Sequence, residues 1–412
     1  QTAKSKFPKF YRTMLAKKKS GLKISGQFDS FGTFRTWIEI NASAAKRNAL
    51  TLRKITGLKV KLWSVVKSNV YGHGITVYPK LAEKFPIDGF CVDSFVEGLR
   101  LRRDGIKKSI LVLGPTLAEL AKDATDKKIT LSISNFEVLK HLIQTKNPPE
   151  FHIKIDTGMN RQGFFLEDIS KVIKLLKPSA EGGSSFRGNT HNLKPKLAGL
   201  YTHFASAKDI NYPTYTDNQL NQFEKAAQLF EKAGYKNLIK HVAATGATLI
   251  NKKYHLGAVR AGIGFYGLWP SKELEVQLAH KITLSPILSW KTIVSEIKNI
   301  PAGEFIGYDL TEKIRQTAKI AVLPIGYWHG FPRALSGVGE VLIRGQRARV
   351  LGRVSMDLVV VDVTGINCRV GDIATLIGQD GKDEITVFEL AQKSYTSHYE
   401  IITRLNPLIE RI

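Results

Sequence analysis

From Arg35 to about Pro270 this chain repeats one arrangement: a short apolar run, a polar helix-like stretch, then the next apolar run. The runs are Leu62–Val66, Asp88–Val92, Ile110–Leu113, Thr130–Ile133, Phe151–Ile155, Leu197–Tyr201, Lys240–Ala243 and Arg260–Gly264. Between them lie amphipathic segments such as Ser94–Arg103 before Gly105, Asn135–Gln144, and Asp217–Ala233 before Gly234. Apolar residues at helical spacing, with glycine past the last turn, mark helices. Strands joined by crossover helices pair in parallel, and eight of them favour a closed (β/α)8 barrel over an open sheet. Ahead of them Thr36–Ile40 reads as a short strand with Ile38 and Ile40 on one face. Asn41 then caps a helix to about Ile55, stopped by Gly57.

The alternation ends near Pro270. Strand-like runs with few helices follow, separated by glycine and proline: Leu284–Ile297, Ala318–Ile325, Glu340–Ile343, Ala348–Leu351, Leu358–Val363 and Ile373–Ile377. The expected class is therefore α/β, a TIM-like barrel over residues 35–278 followed by a mostly β domain over 279–412. Residues 1–34 are lysine-rich with little periodicity and read as a basic, mobile tail. The polar, glycine-rich stretch at about 180–195 reads as an inserted surface loop.

Composition narrows the classes. At 412 residues and 43% apolar, the chain is globular and large enough for two domains. No segment approaches the ~18 uncharged apolar residues needed to span a bilayer, so no membrane partner is expected. The basic start runs into polar sequence rather than the apolar stretch of a signal peptide. Two cysteines, Cys91 and Cys368, make no disulfide framework, and a cytoplasmic protein with two free thiols is the simplest reading. The net charge of +25 (61 − 36) is high. The lysines are spread along the chain without a nucleic-acid-binding motif, which favours a solvated basic surface over a nucleic-acid partner.

In such a barrel the chemistry sits where strands end and loops begin. The first barrel strand ends Val65-Val66-Lys67-Ser68-Asn69-Val70-Tyr71-Gly72-His73-Gly74. A lysine directly ending an apolar strand places its ammonium beside the barrel mouth, where a lowered pKa makes a nucleophilic amine; alternatively the side chain reaches solvent. Further segments follow in order: Lys154-Ile-Asp-Thr-Gly-Met-Asn-Arg161, Gly199-Leu-Tyr-Thr-His203-Phe-Ala, Val259-Arg260-Ala-Gly-Ile-Gly-Phe-Tyr266-Gly, Pro301-Ala-Gly-Glu-Phe-Ile-Gly-Tyr308, Pro324-Ile-Gly-Tyr327 and Gly352-Arg-Val-Ser-Met356-Asp357. Together with the lysine segment, and over nearly the whole chain from Arg35, these resemble the motifs of the alanine racemase family, whose fold is a barrel followed by a β domain.

The resemblance implies a pyridoxal 5'-phosphate enzyme that racemises L- and D-alanine for peptidoglycan, a homodimer with shared active sites, and no metal. Lys67 is then the lysine that holds the cofactor as a Schiff base, and one of two bases. Tyr308 is the second, reaching the partner's site. Bases on opposite faces of Cα remove and return a proton without a large rearrangement. Tyr71 resembles a phosphate contact. The backbone N–H groups of Gly262 and Ile263 and the hydroxyl of Thr245 are further phosphate candidates. Arg260 resembles the residue facing the pyridine nitrogen. Arginine only donates, so the nitrogen stays unprotonated and the ring is a weaker electron sink. A phenol is a poor base at its free pKa of about 10, and His203 with Arg260 resembles its supporting network. Arg161 resembles the residue that meets the cofactor's phenolic oxygen and the substrate carboxylate. Lys154 occupies the place of a lysine that in many members carries a carbamate. Met356 and Asp357 line the pocket from the partner and Tyr327 narrows its entrance. Asp156 and Asp209 read as structural acids.

Two departures stand out. The family's common Asn-Ser is here Ala244-Thr245, which keeps the hydroxyl and loses an amide. A tyrosine that many members place near the phosphate falls at or beside Asn406-Pro407. A racemase of serine, lysine or arginine is a close alternative. A decarboxylase of the same architecture is a more distant one. It would use a Cys-Asp-type motif and a glutamate at the pyridine nitrogen, and the surroundings of Cys368 and the presence of Arg260 fit neither.

Overall fold

The apolar runs pair in the order in which they occur. The computed structural model describes residues 34–177 and 196–412. The expected tail, to residue 33, and the insertion at about 180–195 lie outside the described residues. After β1 (Thr36–Ile40) the barrel strands are β2 (Lys61–Val65), β3 (Gly89–Val92), β4 (Ser109–Val112), β5 (Leu131–Ile133), β6 (Phe151–Lys154), β7 (Leu197–Tyr201), β8 (Ile239–Ala244) and β9 (Ala258–Ala261). The sheet order is β4-β3-β2-β9-β8-β7-β6-β5. One parallel bridge between Leu111 and Thr130 closes the circle, with Val112 N–H donating to Thr130 O and Thr130 N–H to Ile110 O, each at 2.9 Å. The expected (β/α)8 barrel is therefore present.

Alternation along each strand divides the side chains. Leu62, Val92, Ile110, Ile153 and Val242 join the large core under the helices. Trp63, Val65, Cys91, Leu111 and Ala258 form a small separate cluster with the opposite facing. The helices start where short polar residues take up free N–H groups. Asn41 Oδ1 accepts from Ala44 N–H at 2.9 Å at the start of Ala42–Thr56, and Ser94 with Glu97 forms a reciprocal cap on Phe95–Arg103.

Beyond the barrel come β10 (Leu288–Ile293), β11 (Glu296–Ile300), β12 (Phe305–Ile306), β13 (Glu312–Lys313), β14 (Ala318–Leu323), β15 (Glu340–Ile343), β16 (Gln346–Leu351), β17 (Val359–Asp362), β18 (Ile373–Asp380), β19 (Asp383–Ile385) and β20 (Glu410–Arg411). They form a ten-stranded sheet in the order β11-β14-β17-β16-β15-β18-β10-β1-β20, with β19 on β18 and the β12–β13 hairpin apart. The single expected run Leu284–Ile297 divides into β10 and β11. The strand β1, read within the 35–278 segment, pairs antiparallel with β10 and parallel with β20. Its Ile38 is buried with Trp290 in the second core. Strand β1 thus belongs to the β-domain sheet although it precedes the barrel strands in sequence. Thr36–Ile412 form one compact unit. Among the described residues no helix is long and apolar enough to cross a membrane, and no cluster of metal-ligating side chains occurs.

Candidate active site

Strand β2 ends at Val65, so Lys67 lies two residues beyond it and does not end the strand directly. It opens an unusual turn: Ser68, Asn69, Val70 and Tyr71 have φ of 54°, 53°, 57° and 51°, and Gly72 follows at 84°. Left-handed backbone costs a non-glycine residue roughly 1–2 kcal/mol, so the turn persists only because its surroundings over-determine it. Glu97 accepts from Ser68 N–H at 2.6 Å and from Asp93 N–H at 2.8 Å. Asn69 Oδ1 accepts from Ile75 N–H at 2.9 Å. The imidazole of His73, completely buried, meets the carbonyls of Val70 and Tyr71 at 2.9 and 3.1 Å. Arg411, near the C-terminus, donates twice to Gly72 O at 3.1 and 2.9 Å. A Cβ at Gly72 would stand 1.9 Å from Ile402 O, so glycine is required there.

The turn forms one rim of a cavity of about 1330 Å³ at the C-terminal ends of the barrel strands. Lys67, Tyr71, Lys154, Arg161, His203 and Arg260 all line it, and so do Thr245, Gly262 and Ile263. The structure therefore brings together every site residue expected from the barrel. Lys67 Nζ lies 3.3 Å from Asp93 Oδ1, with both side chains partly exposed.

At one end the last barrel strand stops at Ala261. Arg260 is its third residue rather than its first, and Gly262 leads into the turn Ile263–Tyr266. Thr245 Oγ1 accepts from Gly262 N–H at 2.9 Å and Gly264 N–H at 3.4 Å, which leaves the hydroxyl proton of Thr245 to donate. A Cβ on Gly262 would meet Tyr71 Oη at 3.0 Å, and one on Gly264 would meet Thr245 Cγ2 at 2.7 Å. Burial pushes the Tyr71 phenol up to about 12, so it stays a neutral donor. Two hydroxyls around a glycine-lined turn suit a phosphate. The Asn406-Pro407 position does not line this cavity, but a tyrosine nearby in sequence does. Asn406 is tied to Trp328 O at 2.9 Å, whereas Tyr399, on the helix His398–Thr403, lines the cavity with its ring 6.1 Å from that of Tyr71.

The floor is Arg260, 2% exposed. Its guanidinium donates to Thr202 O at 2.8 Å and His241 O at 3.0 Å, and meets His241 Nδ1 at 2.5 Å and His203 Nδ1 at 3.4 Å. Among the described residues no carboxylate pairs with it. Burial, then the Arg260 charge, drive His203 down to about 3, and His241 also falls well below its ordinary value. Both are neutral acceptors for the cation.

The opposite wall is cationic. Lys154 is 7% exposed and donates to Gln162 Oε1 at 2.8 Å. Burial, then the charges of Arg161 and Arg260, push it down to about 8. Asp156 accepts from the N–H groups of Gly158, Asn160 and Arg161 at 2.9–3.0 Å, which folds the loop presenting Arg161. Asp209 accepts from Asn211 N–H and Gln277. Both acids, read from the sequence as structural, are taken up by these hydrogen bonds, and Asp156 also lines the cavity. Pattern reasoning misses Asp93, Gln162, His241 and Tyr399. His241 carries a signal, as a polar residue among the apolar positions of a barrel strand.

Tyr308, Tyr327, Met356 and Asp357 lie outside this cavity, on the β domain. Tyr308 is 70% exposed, on the loop joining β12 to β13, and Met356 is 54% exposed. Tyr327 N–H donates to Ser355 O and Trp328 N–H to Met356 O, both at 3.1 Å, so these two loops are one neighbourhood.

Sequence models of two known domains match: "Alanine racemase, N-terminal domain" over residues 40–270 and "Alanine racemase, C-terminal domain" over 287–412. The chain belongs to the alanine racemase family. It is 36% identical over 397 residues to the alanine racemase of Leptospira interrogans serovar Lai, spanning 94% of this chain and 98% of that one. It is 36% identical over 383 residues to that of Methanococcus maripaludis, spanning 91% and 98%. The crystal structure of alanine racemase from Bacillus anthracis with bound L-Ala-P superposes with a TM-score of 0.82 at 32% identity, over 90% of this chain and 92% of that chain. This member of the alanine racemase family is an amino-acid racemase.

Proposed function

We propose that the protein interconverts L- and D-alanine with pyridoxal phosphate, using Lys67 of one chain and Tyr308 of a second copy as opposed bases. The observation that carries this reading is the cavity itself. A lysine at the rim, a glycine-lined cradle with hydroxyl donors at one end, and a donor-only arginine in the floor match the aldehyde, phosphate and ring nitrogen of that cofactor. Bound there, the cofactor supplies an electron-withdrawing ring that acidifies the Cα–H of an attached amino acid.

The chain's own groups then divide the work. Lys67 carries the reactive amine and moves the proton on one face. Thr245, Tyr71, Tyr399 and the N–H of Ile263 hold the phosphate, and Gly262 supports Thr245 as well as offering close approach. Arg260 donates toward the ring nitrogen and cannot accept from it, and His203 links that cation to the catalytic phenol. Arg161 takes the substrate carboxylate. The lowered pKa of Lys154 favours the neutral amine that carbon dioxide requires, and a carbamate there would hold Arg161 by charge.

A homodimer follows from Tyr308. A phenol so exposed, with Tyr327, Met356 and Asp357 also outside their own chain's cavity, supports a role at the partner's site. Cys91 and Cys368 are both free thiols, in keeping with a cytoplasmic enzyme that supplies D-alanine for peptidoglycan. The alternative substrates are serine, lysine and arginine. The test supplies pyridoxal phosphate, offers single enantiomers of these four amino acids and follows optical rotation. Fastest loss of chirality with alanine supports the proposal, and no loss with any of them rejects it.

A further inference from the structure

A second polar contact lies beneath the Arg260 floor, deeper in the barrel. His241 Nε2 stands 2.6 Å from His152 Nδ1, and both side chains are within 3% of complete burial. The direction of this bond follows from chemistry alone. Arginine has no acceptor, so its contact with His241 Nδ1 requires that nitrogen to be bare. A neutral imidazole with bare Nδ1 carries its proton on Nε2, which must donate to His152. The Nδ1 of His152 is then also bare. One donor-only cation thus sets two tautomers in series.

The neighbours hold both rings in place. Tyr201 stacks on His241 with centroids 4.8 Å apart and planes 4° from parallel, and Trp63 meets it edge-on at 5.0 Å. Trp63 also packs on His152 at 5.8 Å. A Cβ at Gly199 would stand 2.7 Å from both Cε1 and Nδ1 of His152, so glycine there makes room for the ring. Burial, then Arg260 and then Lys61, drive His152 down to about 3, so it is neutral under working conditions.

We infer that His152 is a positioning residue: by accepting from His241 Nε2–H it fixes the tautomer that lets His241 accept from Arg260. Without that acceptor, His241 has two poor choices. It can keep a buried N–H with no partner, or move its proton to Nδ1 and present a donor to the Arg260 donor. Either loosens the guanidinium. The inference rests on the proposed role of Arg260 only for its kinetic consequence, and the tautomers can be read without it.

The test is 15N solid-state NMR of the full-length, cofactor-loaded protein labelled at histidine, with kinetics of two variants. In the wild type, His241 and His152 should each show a bare Nδ1 and a protonated Nε2. This measurement needs no substitution and so does not depend on a variant folding. His152→Leu should disturb the His241 signals and lower kcat about tenfold with little change in KM, the scale of one buried hydrogen bond. His152→Asn, whose Oδ1 takes the place of Nδ1, should restore both to near wild type. A protonated Nδ1 on His241 overturns the inference, as does a His152→Leu variant with unchanged signals and rate, or a His152→Asn variant no better than His152→Leu. Arg260→Leu tests the other reading separately. If it left racemisation intact while the tautomers were as inferred, the relay would stand and the assignment of Arg260 to the ring nitrogen would fall.

Discussion

Lys67 and Tyr308 are both presented by left-handed backbone, in opposite surroundings. The turn after Lys67 has four consecutive non-glycine residues at positive φ, held by Glu97, Asn69, His73 and Arg411. The loop after Tyr308 has two, Asp309 at 62° and Leu310 at 49°, on a hairpin whose strands β12 and β13 are two residues each. The first is braced by its own chain. The second leaves its tyrosine 70% exposed and Leu310 64% exposed. Within its own chain the second loop is tied down by the ion pair of Asp309 with Arg353 at 2.6 Å and by buried Ile306. The Tyr308 side chain itself is left exposed, so in the proposed enzyme one base is preorganised within the subunit while the other meets its site only in a partner.

The largest effect should fall on the braced side. Lys67→Ala is expected to abolish racemisation together with the absorbance of the lysine-linked cofactor, and activity surviving without that absorbance would break the comparison. On the exposed side, Tyr308→Phe should slow proton transfer by about 10²–10⁴-fold, more in one enantiomer direction than the other. Cofactor absorbance and folding stability should be unchanged, and equal, undiminished rates both ways would refute the assignment.

Smaller effects sharpen the contrast. Glu97→Ala removes the acceptor for Ser68 and Asp93 N–H groups, and should cost about 1–3 kcal/mol in chemical denaturation with weaker cofactor retention. Asp309→Ala, on the exposed loop after Tyr308, removes one exposed ion pair with Arg353 and should cost no more than about 1 kcal/mol of monomer stability. Lys154 gives a pH dependence of definite sign. Its folded pKa is lowered to about 8, so the amine is cationic well below that value and neutral above it. Incorporation of 13C-labelled carbon dioxide should rise as pH passes upward through about 8, and a flat or falling signal would remove the carbamate proposal. By the same sign, the unfolded chain binds the extra proton between about 8 and the ordinary lysine value, so this group's contribution to stability rises with pH across that window.

Much of the barrel and its site is legible in the amino-acid sequence. Each barrel strand is a buried run flanked by amphipathic helices, so the local pattern carries the tertiary answer. Residues on strand ends, such as Arg260 and Lys154, are placed along with their strands. What escapes a local reading depends on distant partners. β1 reads like any short strand, and nothing local says that it pairs with β10, some 250 residues away in sequence. The left-handed turn is invisible because Ser68, Asn69, Val70 and Tyr71 contain no glycine, and contacts from Glu97 and Arg411 sustain it. Tyr399 is passed over for Asn406 because a helix, not a matching motif, brings it to the end of the cavity beside Tyr71.

Mixing inactive Lys67→Ala with inactive Tyr308→Phe, under conditions that let subunits exchange, addresses the shared site most directly. A mixed dimer regains one site with both bases intact, so an equal mixture should recover about one quarter of wild-type activity. Activity that stays at the level of the separate variants, with mixed dimers verified by mass, would contradict a site built from two chains.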